Sequence, residues 1–140
     1  MEKVNEEEGF MAKKRIITID DSPIITSTIK QMFADNQDVE VFSAEDGIKG
    51  LMLIEELDCK ADIIILDYNM PEMTGIEMLR NLKSKRPDFP VPVLMLTTEF
   101  ELKTDEAKRL GIVAWILKPF KEDKVKNLIS QVFQHYKVRY

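Results

Sequence analysis

The chain has 140 residues, of which 44% are hydrophobic and 32% charged, and a formal net charge of −5. That length fits one domain and that composition a globular protein. Together they argue against a receptor, a multidomain enzyme, or a signalling domain fused to a separate DNA-binding domain.

The charge is uneven. Glu2, Glu6, Glu7 and Glu8 against Lys3 make the start acidic, and Met11-Ala12-Lys13-Lys14-Arg15 resembles a second start site. Residues 1–13 therefore read as an acidic tail, with Met11 as an alternative start, and residues 14–140 as one domain. From Lys118 to Tyr140 six basic residues face two acidic ones, which in its plain reading is a solvated helix face. An acidic chain argues against a broad nucleic-acid footprint. The apolar run Ile63–Leu66 is far too short to span a bilayer, and no signal peptide is visible. The single Cys59 allows no intrachain disulfide. The expected location is the cytoplasm, and the expected partners are proteins, with no nucleic acid and no membrane.

Elements follow in a regular order. Ile16–Ile19 is a β-branched run ending at Asp20-Asp21; Ser22-Pro23 then supplies an N-cap and a proline at the first helical position. Ile24, Ile25, Thr28, Ile29, Met32 and Phe33 continue at helical spacing. Val39–Ser43 reads as the second strand, with Ile48, Leu51, Met52 and Leu57 on the helix after it. Asp62–Leu66 reads as a fully buried strand, because consecutive aliphatics leave it no polar face. A turn around Asn69-Met70-Pro71 precedes a helix marked by Ile76, Leu79 and Leu82. Val91–Leu96 and Val113–Leu117 are the last two strands. Between them Glu101–Leu110 has helical length but few apolar anchors, chiefly Leu102, Ala107 and Leu110. Val125, Leu128, Ile129, Val132, Phe133 and Tyr136 place the final helix at ideal spacing. Five strands alternating with helices imply an α/β fold, an open parallel sheet covered on both faces.

Polar residues stand where strands end: Asp20 and Asp21, Asp67, Thr97 and Thr98, and Lys118. In a parallel sheet all carboxyl ends share one edge, so these residues converge in space. Two carboxylates about 4 Å apart repel by ~4 kcal/mol at an effective dielectric near 20. Acids sharing one crevice must therefore take up protons or recruit a cation. Hard oxygen ligands at an open site suit Mg²⁺. A lysine and a threonine hydroxyl facing the same crevice complete an inventory for phosphoryl transfer to a carboxylate. Each element alone has an ordinary reading as a cap or turn; their conjunction at four strand ends carries the inference.

Four segments in this order, Ile17-Thr18-Ile19-Asp20-Asp21-Ser22, Ile65-Leu66-Asp67-Tyr68-Asn69-Met70-Pro71 with Gly75, Leu96-Thr97, and Lys118-Pro119-Phe120, give the chain its resemblance to response-regulator receiver domains over about residues 14–137. The resemblance implies a doubly wound, flavodoxin-like five-stranded sheet in the order 2-1-3-4-5. It implies Asp67 as phosphoacceptor, and Mg²⁺ held by Asp21, Asp67 and the Asn69 backbone carbonyl, with Asp20 acting through water. It further implies Lys118 on the phosphoryl group, a cis Lys118-Pro119 peptide, and Thr97 closing on the modified aspartate with an aromatic following it. That aromatic position holds Trp115, where the family more often has Tyr or Phe.

Asn69 and Glu99 lie two residues after Asp67 and Thr97, match the chemotaxis members of the family, and are expected to tune the lifetime of the signal. The expectation is thus a stand-alone regulator of a two-component system, phosphorylated by a CheA-type sensor histidine kinase. It would signal to a target such as a flagellar motor switch protein, with a phosphatase as a further partner and no turnover of a separate substrate. The contact face would be the fourth helix, fifth strand and fifth helix, with Lys121, Lys124 and Lys126. A non-chemotactic phosphorelay receiver stays open as an alternative. A haloacid-dehalogenase-type phosphatase is disfavoured, since Asn69 stands where that family needs a second acid. No Gly-x-x-x-x-Gly-Lys is present for a P-loop.

Overall fold

The computed structural model describes residues 13–99 and 105–136. Residues 1–12 of the acidic tail and Leu102 lie outside those residues. Strands β1 (Lys14–Ile19), β2 (Val39–Ala44), β3 (Ile63–Asp67), β4 (Val93–Thr97) and β5 (Ile112–Leu117) form one parallel sheet in the order β2-β1-β3-β4-β5. Between and after them come α1 (Pro23–Met32), α2 (Gly47–Glu56), α3 (Gly75–Lys85), α4 (Asp105–Arg109) and α5 (Glu122–His135). The doubly wound order expected from the resemblance is the one observed.

Alternation along the strands builds two cores. Ile64 and Leu66 of β3 pack with Ile54 of α2, Met78 and Leu79 of α3, and Ala107 of α4. Ile63 and Ile65 turn the other way, onto Ile29 of α1 and Val125 and Ile129 of α5. Because β3 is covered on both faces, every one of its residues is buried, Asp67 included.

Caps fix where the helices begin. The Ser22 hydroxyl accepts from the Ile25 N–H, with Pro23 at the first helical position, as the sequence predicts. Asp46 caps α2 through the Lys49 N–H at 2.8 Å, and Thr74 with Glu77 forms a reciprocal capping box on α3. β4 starts at Val93 rather than Val91, since Pro92 has no N–H for the ladder, although its carbonyl still accepts from the Ile64 N–H. The buried anchors of the short α4 region are Ala107 and Leu110, as expected.

The apolar stripes need correction at three helices. On α2 the inward positions are Gly47, Gly50 and Ile54, while Ile48 and Met52 are 51% and 57% exposed. The glycines let α2 sit directly on Met73 and Ile19, so the core face is the one with the smallest side chains. Ile24 is 76% exposed, because Ile25 and Ile29 set the inward face of α1. Tyr136 is also exposed; it caps the C-terminal end of α5 instead of extending its stripe.

Among the described glycines, the one with least room for a Cβ lies beside the site. A Cβ at Gly75 would fall 2.6 Å from the Asp67 carbonyl oxygen and 3.1 Å from Met95 Sδ. The Gly75 N–H donates to the Tyr68 carbonyl at 2.9 Å, which folds the β3–α3 loop back on itself. Gly75→Ala should therefore destabilise the protein by about 1–3 kcal/mol, the range for overpacking. The check is a lowered midpoint in urea with an unchanged slope; an unchanged midpoint would contradict this packing.

Candidate phosphoryl-acceptor site

Asp20 and Asp21 follow β1, Asp67 closes β3 and Lys118 follows β5, so all four arrive at the same edge of the sheet. Their carboxylates converge: ligand oxygens of Asp20, Asp21 and Asp67 all lie within 4.8 Å of one another. Asp20 and Asp67 are buried, and Asp21 opens to solvent. Lys118 Nζ donates to Asp67 Oδ1 at 2.9 Å and to Asp20 Oδ2 at 3.2 Å. Asp20 is held from behind as well, its Oδ1 accepting from the Ser22 N–H at 2.9 Å. The residue that caps α1 with its hydroxyl thus also anchors an acid of the site with its backbone, a double use the sequence reading of Ser22 did not include.

Three carboxylates crowd together, and one ammonium bonds two of them. Asp67 is pushed up to about 6, first by burial and then by the nearby Asp20 charge and the hydrogen bond with Asp21, against the opposing Lys118 bond. Burial pulls Lys118 down, but the Asp67 hydrogen bond and the charges of Asp20 and Asp67 outweigh it, so its ammonium is held above the ordinary lysine value. The two shifts agree physically: the lysine sees two anions, whereas the aspartate sees one cation, two acids and little water. A crevice of hard oxygen donors with surplus negative charge is suited to a divalent cation of the Mg²⁺ type.

The remaining expected residues frame this cluster. The Thr97 carbonyl accepts from the Lys118 N–H at 2.8 Å, tying the ends of β4 and β5 together. Thr97 is buried, and its Oγ1 accepts from the Glu99 N–H at 3.1 Å. Glu99 is thereby linked to Thr97 through its backbone, which spacing alone did not reveal. Asn69 is exposed in the loop after β3. Trp115 is half-buried within β5, paired with Met95 and packed on the core shared by α2, α3 and α4. The Lys118-Pro119 peptide is cis, as the resemblance implied. One connection was not anticipated: Arg80 on α3 grips Glu106 on α4 with two hydrogen bonds, of 2.6 and 2.8 Å.

A raised carboxylate value has a definite sign for stability. The Asp67 contribution is fully present below its ordinary value of 3.8 and is lost as pH rises through about 6. Asp67→Asn cannot ionise. In metal-free buffer its stability relative to the unsubstituted protein should rise across that window, by on the order of 2 kcal/mol. Chemical denaturation at several pH values checks this; a difference that stays flat with pH would contradict it.

Comparison with known proteins agrees with this geometry. The profile of the response regulator receiver domain matches residues 16–130. The chain is 31% identical to the chemotaxis protein CheY of Pseudomonas aeruginosa, covering 86% of this chain and 96% of that protein. It is 35% identical to a protein-glutamate methylesterase/protein-glutamine glutaminase of Koribacter versatilis, over 89% of this chain but 34% of that longer protein. The crystal structure of Vibrio cholerae CheY4 superimposes with a TM-score of 0.75 at 32% identity, covering 86% of this chain and 99% of that one. Matched by the profile over most of its length and by CheY proteins from end to end of their own, the chain belongs to the response-regulator receiver domain family.

Proposed function

We propose that the chain is a single-domain phosphorylation switch of a two-component system, with Asp67 as phosphoacceptor and chemotaxis as its setting. The observation that carries the reading is the Asp20–Asp21–Asp67–Lys118 cluster, in which one carboxylate has both a cation beside it and surplus charge around it. Receiver domains are phosphorylated by histidine kinases and bind Mg²⁺ at an acidic cluster, and this chain has the donors for it. Asp21, Asp67 and the Asn69 carbonyl would hold the ion, with Asp20 acting through water. When bound, Mg²⁺ supplies positive charge against the phosphoryl oxygens.

The residues of the chain do the rest. An Asp67 carboxylate oxygen attacks the phosphorus of a phosphohistidine; the phosphorus–nitrogen bond breaks, and the imidazole leaves and takes up a proton. Lys118 stands 2.9 Å from the nucleophile's carboxylate, where it can balance charge on the transferred group. The Thr97 hydroxyl accepts from Glu99 and keeps its own proton to donate to a phosphoryl oxygen. Thr97 and Trp115 are the proposed switch pair, since β4 and β5 hold them on neighbouring strands. Asn69 and Glu99, at the rim of the crevice, are the proposed determinants of phosphoryl lifetime.

Output by protein contact through α4, β5 and α5 fits the exposed Lys121 and Lys124. Lys126 leaves that face, because its ammonium sits 5.8 Å over the ring of Phe33, the C-cap of α1. A CheA-type kinase and a flagellar motor switch protein are the partners this reading names. A second reading has a specific support: the methylesterase relative carries a matching region within a longer protein, so the same domain can serve an attached output.

Incubation with acetyl phosphate or beryllofluoride should change Trp115 fluorescence only when Mg²⁺ is present, and acetyl phosphate should add one phosphoryl group at Asp67 by mass spectrometry. Asp67→Asn should abolish both responses. A Mg²⁺-independent response, or phosphorylation elsewhere, would overturn the assignment. Asn69→Ala and Glu99→Ala should alter the rate of phosphoryl loss while leaving uptake at Asp67 intact; unchanged decay in both would remove them from the proposal.

A further inference from the structure

Beside the phosphoryl-acceptor site, a groove of about 690 Å³ runs between α1 and α2 over the carboxyl end of β2. Pro23, Met52 and Leu53 supply its apolar lining. Its acids are Asp20, Asp21, Glu45 and Glu56, against the single Lys49. Lys49 is already occupied by Glu45 at 3.3 Å, and Asp20 is held from the far side by Lys118. Asp21 and Glu56 remain as exposed negative charges at the groove.

The outer face of α2 points the same way. Gly47 and Gly50 occupy its core positions, so Ile48 and Met52, one helical turn apart, are more than half exposed and contribute little to the core. Two large apolar side chains on the solvent face of one helix, next to an acid-rimmed groove, match the anchors and rim of a docking surface. Methionine adapts its shape to an incoming side chain.

We propose that the α1–α2 groove docks a basic amphipathic segment of a partner protein, its aliphatic side chains on Ile48, Met52 and Leu53 and its cations on Asp21 and Glu56. The excess of carboxylates selects a cationic partner and disfavours acidic peptides and anionic surfaces. The groove lies at the β2 edge of the sheet, and β5 forms the opposite edge. One consequence rests on the Mg²⁺ reading above: a cation drawn to Asp21 and Mg²⁺ oppose one another, and by linkage the effect is reciprocal. Docking itself does not depend on that reading.

The test is fluorescence anisotropy of a labelled helical peptide of leucine and lysine against the full chain, with a leucine–glutamate peptide as control. The lysine peptide should bind and the glutamate peptide should not. Ile48→Gln with Met52→Gln should weaken binding by about tenfold or more, Glu56→Gln should weaken it less, and saturating Mg²⁺ at constant ionic strength should weaken it in the unsubstituted protein. Phosphorylation of the double variant at Asp67 at an unchanged rate would show that its fold is intact and that the loss belongs to the groove. Equal binding by the double variant, or by both peptides, would overturn the proposal. So would a homodimer in sedimentation that the same double variant dissociates, since the occupant would then be a second copy. If phosphorylation fails in the unsubstituted protein while peptide binding behaves as expected, the functional reading falls and the docking surface stands.

Discussion

The structure depends on a conflict of charge at the carboxyl edge of one sheet. Three carboxylates meet within 4.8 Å of one another, two of them buried, and a single ammonium bonds to those two. Nothing in folding alone favours that arrangement, since like charges brought together in a poorly solvated crevice raise one another's proton affinity. The protein tolerates it because rigid elements impose it. β3 is buried on both faces, the Ser22 backbone pins Asp20, and the Thr97 carbonyl pins the backbone of Lys118. Such unresolved charge is a common mark of a functional site, because adding a cation or a phosphoryl group changes its energy far more than a surface change would.

From that edge the rest of the fold can be read as support. The glycine at position 75 lets the β3–α3 loop close against the Asp67 carbonyl at the end of β3. The two cores separate the roles of the strands. Odd positions of β3 face α1 and α5, whereas Trp115 and Met95 face α2, α3 and α4. Thr97, at the end of β4 beside Asp67, and Trp115, on β5, are held on neighbouring strands. α4 is a single short turn of helix tied to α3 by the forked Arg80–Glu106 pair, one of the better geometries for a surface ion pair.

Most of this was legible in the sequence, for a physical reason. A strand buried on both faces must be continuously apolar, so Ile63–Leu66 announced itself, and the first polar residue after it had to stand at the sheet edge. Ser22-Pro23 marked a helix start because capping is local chemistry. Helix faces were less legible. On α2 the core positions are glycines, which carry no hydrophobic signal, and the eye is drawn to Ile48 and Met52, which point outward. Pairings between distant elements, such as Arg80 with Glu106 or Lys126 over Phe33, leave no local pattern at all. The strand order came with the family resemblance, since alternation of elements fixes a parallel sheet but not its sequence of neighbours.

Asp67 sits in surplus negative charge, which the proposed divalent cation would relieve. The most direct test is the ionisation of Asp67 itself, followed by carboxyl carbon NMR across a pH titration with and without Mg²⁺. We expect a midpoint near 6 in the absence of metal and a clear displacement to lower pH when Mg²⁺ is added. A midpoint at the ordinary aspartate value, unmoved by Mg²⁺, would contradict it.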